Sequence, residues 1–363
     1  MQQVNNMGSL LQAYALKKIL EDMNVDVEFI DIKKIDKDYE LLGDYKQQFA
    51  EENESTGFVE KFRKLNKYTL NRVHIRKKSR EQDIEFNKFR SLFLKIENKS
   101  QSYDICVIGS DEVFNCLNSG KWGFTSQLFG NVPEAKKVIT YAASCGSTRY
   151  EKLPINVSYR IKEIFKKVEG FSVRDDNTHN FIAKLTENEI ITDNLDPVLI
   201  YNFDKEINCV KMLNLPESYC VIYSYYNRIH TSEEISKIKD FCKKNNMVPI
   251  AVGAPQFWVK KYMVCSPFQC LKIFQNASFV ITDTFHGTIF SAKYAKKFAV
   301  IVRESNRNKL LDLVNKIGVS EHLLNKLDEL NDKNKLIHDK TNFDFFIKAE
   351  REKTFNYLYK HIW

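Results

Sequence analysis

No apolar run in these 363 residues is long enough to span a bilayer, and the first residues lack the charged-then-apolar order of a secretory leader. The expected location is therefore the cytoplasm. Eight cysteines fall mostly inside apolar stretches without any C-x-x-C pairing, which points away from a disulfide framework or a zinc knuckle and towards buried thiols. H-E-x-x-H, G-x-x-x-x-G-K-[ST], G-x-S-x-G and G-x-G-x-x-G are all missing. Their absence removes the metalloprotease, P-loop, α/β-hydrolase and dinucleotide-binding fingerprints. Anion recognition with no metal and no bound cofactor is the reading that remains.

The composition is otherwise that of a folded globular protein: 43% apolar, 28% charged and 13% aromatic residues exclude a disordered chain. The length exceeds what one core usually supports and predicts two domains. A net charge of +8 suits an anionic partner. Much of it crowds into positions 61–80, where Lys61, Arg63, Lys64, Lys67, Arg72, Arg76, Lys77, Lys78 and Arg80 stand. Such a run is a solvated helix face or, less often, a docking patch for an anionic membrane surface.

Apolar periodicity gives the elements. Positions 9–23 predict a helix capped by Ser9, and 25–32 a strand. Compact apolar runs at 103–108, 137–143 and 170–173 predict buried strands ending in Gly109-Ser110-Asp111, Ser144-Cys145-Gly146 and Arg174-Asp175. Beyond Asp196-Pro197 the pattern restarts, with strands at 219–225, 247–252, 279–282 and 298–302, helices at 232–245, 267–276 and 309–317, and an amphipathic helix at 343–363. Strands alternating with helices predict mostly parallel sheets, whose ligands bind beyond the strands' carboxyl ends.

Polar residues sit at those ends. His286 follows the 279–282 strand in Thr282-Asp283-Thr284-Phe285-His286-Gly287-Thr288, just before a helix expected to start at Gly287-Thr288, where unpaired amides attract anions. Gly287 permits close backbone approach. Arg174 can offer a fork to phosphate or carboxylate, or pair with a neighbouring aspartate. Arg303 and Arg307 repeat that logic after another strand. Asp111 suits a general base, or else caps a helix beginning at Glu112.

Taken in order, Asn5-Asn6-Met7-Gly8-Ser9-Leu10-Leu11-Gln12, Val107-Ile108-Gly109-Ser110-Asp111-Glu112-Val113-Phe114-Asn115, Tyr141-Ala142-Ala143-Ser144, Ser172-Val173-Arg174, Asp196-Pro197 and the turn around His286 resemble the polysaccharide pyruvyl transferase family. The resemblance spans nearly the whole chain. It implies an α/β, GT-B-like architecture of two Rossmann-like domains, 1–195 and 196–335, facing an interdomain cleft, with the helix in 336–363 packing back on the first. It also implies transfer of a pyruvyl group from phosphoenolpyruvate, as co-substrate, onto two hydroxyls of a sugar in a bacterial surface-polysaccharide precursor.

By the same resemblance His286 and Asp111 would be catalytic. Arg174, Thr284, Gly287, Arg303 and Arg307 would hold the donor, and Asn6, Gly8 and Ser110 the acceptor. The expected partner is a saccharide, lipid-linked in one version, with peripheral contact at the inner membrane face and no nucleic acid. The sequence departs from the family twice. Thr284 stands where many members have arginine, which keeps open a glycosyltransferase using a nucleotide-sugar donor, or a non-catalytic saccharide- or membrane-binding relative. The family's opening strand precedes Asn5, where only Met1-Gln2-Gln3-Val4 stands; the expectation is a short apolar strand encoded upstream.

Overall fold

A computed structural model describes residues 2–32, 69–96, 102–117, 125–186, 190–331 and 336–363. The first sheet takes strands β1 (Tyr103–Asp111), β2 (Ala135–Ala143), β3 (Val168–Val173) and β4 (Ile191–Asp193), in that spatial order. The second takes β5 (Tyr219–Tyr223), β6 (Val248–Val252), β7 (Lys261–Met263), β8 (Phe279–Thr282), β9 (Phe298–Ile301) and β10 (Leu323–Leu324), in the order β10-β9-β8-β5-β6-β7. Every pairing in both sheets is parallel. Parallel strands need covered faces, and β5, β8 and β9 are buried at every position.

Helices supply the covering layers: α1 (Met7–Glu21), α2 (Thr69–Phe93), α3 (Ile155–Phe165), α4 (Asp176–Thr186), α5 (Pro197–Ile200), α6 (Asp204–Cys209), α7 (Ser232–Lys244), α8 (Pro267–Gln275), α9 (Phe285–Tyr294), α10 (Arg307–Lys316) and α11 (Lys340–Ile362). Local chemistry fixes their starts. Thr231 with Glu234, and Ser266 with Gln269, form reciprocal capping boxes at α7 and α8, and Pro267 occupies the first turn of α8, where its missing N–H costs nothing. No helix among the described residues is long and apolar enough to cross a membrane.

One apolar core runs through both sheets. It joins Leu10 and Leu11 of α1, Ile139 and Tyr141 of β2, Leu199 of α5, Val221 and Val280 of the second sheet, Ile289 and Phe290 of α9, and Tyr357 and Leu358 of α11. The last helix returns to the first sheet: Tyr357 Oη donates to the Thr140 carbonyl at 2.8 Å and Lys137 Nζ to that of His361 at 2.9 Å. Tyr14 on α1 is an aromatic hub, its ring 5.0 Å from Phe268, 5.6 Å from Phe93 and 6.0 Å from both Phe89 and Tyr201. Its hydroxyl donates to Glu206 Oε1 at 2.8 Å.

Several sequence expectations are corrected. Asn6, not Ser9, caps α1, because its Oδ1 accepts from the amides of Gly8 at 2.8 Å and Ser9 at 3.3 Å. Residues 25–32 form no strand. They line, with the free edge of β1, a cavity of about 180 Å³, and the carbonyls of Ile30 and Asp31 accept from the side chains of Gln2 and Gln127 instead of a ladder. Strands β4, β7 and β10 span only two or three residues, too few for a period to show. Cys209 is exposed, against the expectation of buried thiols. Of the basic stretch at 61–80, positions 61–68 lie outside the described residues; Arg76, Lys77 and Arg80 are exposed on α2.

Tyr14 joins helices that belong to both sheets, so its truncation opens a cavity at their junction. We expect Tyr14→Ala to lower stability by about 3–5 kcal/mol and Tyr14→Phe, which loses only the hydrogen bond, by about 1 kcal/mol, read from urea midpoints at constant slope.

Candidate active site

The ends of β1, β3 and β8 meet at the first turns of α1 and α9. Helix α9 begins at Phe285, two residues earlier than the sequence predicts, because Thr284 caps it by accepting from Gly287 N–H at 3.0 Å. His286 therefore lies inside the first helical turn. Gly8 lies in the first turn of α1, and a Cβ on it would stand 2.2 Å from Cγ and Nδ1 of His286. Glycine at position 8 is what lets the imidazole lie against the α1 backbone. Gly287 is equally pressed, its absent Cβ 2.1 Å from Thr282 Oγ1.

Arg174 leaves the end of β3 and is almost wholly buried, with 4% of its side chain exposed. Its Nη1 donates to Asp196 Oδ2 at 2.8 Å and its Nη2 to Asp111 Oδ1 at 3.2 Å, while the guanidinium lies 4.3 Å from the centre of the Phe285 ring. The cation is thus taken up by two carboxylates and an aromatic face and is not presented as a bare fork. Asp111 does not cap a helix. It has φ +75°, in the left-handed region that costs a non-glycine residue energy, and its Oδ2 accepts from Ser9 Oγ at 2.8 Å. Ser110 donates its amide to Gln12 Oε1 at 3.1 Å and its hydroxyl to the Ala142 carbonyl at 2.9 Å.

Asp196 is the second carboxylate of the group and is fully buried. Its Oδ1 caps α5 by accepting from Val198 N–H at 3.0 Å, and its Oδ2 lies 3.4 Å from His286 Nε2. That nitrogen has no hydrogen bond of good geometry among the described residues. Burial pushes Asp111 and Asp196 upward, yet Arg174 and His286 outweigh it and hold both carboxyls below the usual range. For Arg174 burial is likewise outweighed, here by Asp111 and Asp196, and its pKa is raised. The two carboxylates are ionised, and the first turns of α1 and α9 turn their partially positive ends towards them.

Arg303 and Arg307 stand apart from this cluster. Arg303 Nε donates to buried Asp283 Oδ2 at 3.2 Å, and its Nη1 pairs with Glu234. Its Nη2 is buried without a hydrogen-bond partner among the described residues. Burial, more than Ser224, Arg228 and Arg303 offset, raises the Asp283 pKa. Arg307 is half exposed beside Glu304, at the rim of a cleft of about 1010 Å³ lined by residues near both sheets. Across it Lys309 of α10 pairs with Glu112 at 2.8 Å, and Lys316 Nζ donates to the Arg174 carbonyl at 3.2 Å.

Asp196, Lys309 and Asp312 are site residues that sequence reasoning assigned no role. Asp196 had a signal, an aspartate directly before the proline that starts a helix. Lys309 and Asp312 had none, since on α10 they read as the polar face of an amphipathic helix. Asp312 lines the cleft, and burial pushes its carboxyl up to about 6, helped by Asp176, Asp175 and Asp193 and opposed by Lys316.

Two stability measurements probe these charges. Arg174→Met would strand Asp111 and Asp196 as buried anions, with an expected loss of about 3–5 kcal/mol in urea unfolding; an unchanged midpoint would show that the network is not buried as described. Asp312 binds its proton more tightly folded than unfolded, so its contribution is fully present below about pH 4 and is lost as pH rises through about 6. Asp312→Asn should therefore be more stable than wild type at pH 8 by about 1 kcal/mol, allowing for screening at this half-buried position, and no more stable at pH 4.

No curated protein matches the chain. The family model described as polysaccharide pyruvyl transferase matches residues 6–305, a span that opens at the cap of α1 and contains Asp111, Arg174, Asp196 and His286. The chain belongs to the polysaccharide pyruvyl transferase family.

Proposed function

We propose that the protein transfers the pyruvyl group of phosphoenolpyruvate to two hydroxyls of a sugar in a cell-surface polysaccharide precursor, forming a ketal and releasing phosphate. The two parallel sheets would serve as the halves of a GT-B-like pair, with donor and acceptor meeting in the cleft between them. The observation that carries this reading is His286, set between Asp196 and the glycine backbone of α1, with its Nε2 unspent.

The reaction needs a proton on the donor's methylene carbon. One sugar hydroxyl then attacks the adjacent carbon, a second displaces phosphate from it, and both hydroxyl protons are given up. His286, its Nε2 3.4 Å from Asp196 Oδ2, is the group proposed to deliver that proton. Asp111, ionised and held by Ser9 and Arg174, suits the acceptance of a hydroxyl proton. For the anionic donor the chain offers the first turns of α1 and α9, the free Nη2 of Arg303, and Lys309 and Arg307 along the cleft. Arg174 holds the two carboxylates in place and acts on the donor through its field. The acceptor would lie towards Asn6, Gly8 and Ser110.

Phosphate release from phosphoenolpyruvate in the presence of candidate saccharides tests the reading. His286→Ala should lower it by about 10²- to 10⁴-fold with the fold intact by circular dichroism, and turnover within a factor of two of wild type would overturn the assignment. Gly8→Ala, which must displace the imidazole, should fall in parallel. A second reading, a glycosyltransferase with a nucleotide-sugar donor, is favoured by one observation: the Thr284 hydroxyl is consumed in capping α9 and offers no charge to a phosphate. Calorimetry that detects a nucleotide sugar and no phosphoenolpyruvate would select it.

A further inference from the structure

Far from the cleft, at the amino-terminal end of β9, two histidines are joined to the fold in the same way. His322 Nδ1 bonds the Phe298 carbonyl at 2.9 Å, and His338 Nε2 bonds the Ala292 carbonyl at 3.0 Å. A carbonyl only accepts, so each bonded nitrogen carries the proton. The other nitrogen of each ring, His322 Nε2 and His338 Nδ1, must then present a lone pair. Both atoms are buried and neither has a hydrogen-bond partner among the described residues; the residues are 0% and 9% exposed. Glu321 places a carboxylate oxygen 3.5 Å from His322 Nε2, and the three atoms all lie within 4.8 Å of one another.

Three acceptors thus converge on one point, with no donor among them. Two lone pairs and a carboxylate repel unless something positive lies between. The rings are also oriented as metal-binding histidines commonly are, the far N–H fixed by a backbone carbonyl that sets tautomer and direction. His322 is further held by stacking on Phe298, with ring centres 3.7 Å apart.

We propose that Glu321, His322 and His338 form a zinc site. Two imidazole nitrogens and one carboxylate oxygen are a donor set that zinc takes, at about 2.0–2.2 Å each, which places ligand atoms about 3.3 Å apart in a tetrahedron. Small ring and carboxylate movements close the present spacing to that value. The carboxylate side chain is half exposed, so the fourth position opens towards water. A metal held there would pin β10 and the segment before α11 to the start of β9 and to the carboxyl-terminal turn of α9.

Full-length protein, stripped with a chelator and titrated with Zn²⁺, should bind one ion per chain and melt at a higher temperature when loaded. His322→Gln combined with His338→Gln should abolish both effects. Glu321→Gln, at a half-exposed side chain that leaves the core intact, should weaken binding by about 10- to 100-fold if the double variant does not fold. Cobalt substitution separates this site from the cysteines, because a nitrogen and oxygen site gives d–d bands without a thiolate charge-transfer band. Failure to bind Zn²⁺ stoichiometrically, binding indifferent to Glu321→Gln, or a thiolate band would overturn the proposal. Each readout is independent of phosphate release.

Discussion

Everything at the candidate site hangs on one buried cation. Arg174 reaches two carboxylates that come from different places in the chain, Asp111 at the end of β1 and Asp196 at the entry to α5. Neither carboxylate would be tolerable in the core alone, and together they hold the guanidinium against Phe285 at the start of α9. The interaction fixes where β1 and β3 end relative to α9, and with that the distance between Asp196 and His286. A buried triad of this kind contributes little net stability, but it permits few other arrangements of the strands that bear it.

That arrangement explains why so much of the fold was legible and why the site was less so. Strands β5, β8 and β9 are apolar at nearly every position and β1 and β2 contain compact apolar runs, and such runs stand out in any reading of periodicity. The short edge strands did not. Residues 25–32 had a strand's alternation and formed none, because pairing depends on a neighbour that a local pattern cannot reveal.

At the site, position along a strand was readable and occupation was not. His286, Asp111 and Arg174 were found from their places at strand ends. That Arg174 is spent on two aspartates, and that Arg303 is spent on Asp283 and Glu234, depends on residues distant in sequence. Glu112 and Lys309 pair across 197 positions. Gly8 carried a quieter signal: a glycine in the first turn of a helix, where glycine is a poor choice, is best explained by something that must come close, and the something is His286.

The shared core and the returning last helix have a mechanical meaning. Two-lobed proteins often admit a ligand by swinging apart about a slender connection, which costs little when few contacts cross it. Here the would-be hinge is filled by Leu10, Tyr141, Leu199 and Phe290 and strapped by Tyr357 on Thr140, so opening would expose oily surface at once. A core shared in this way resists such a swing, so the width of the cleft is tied to the packing beneath it.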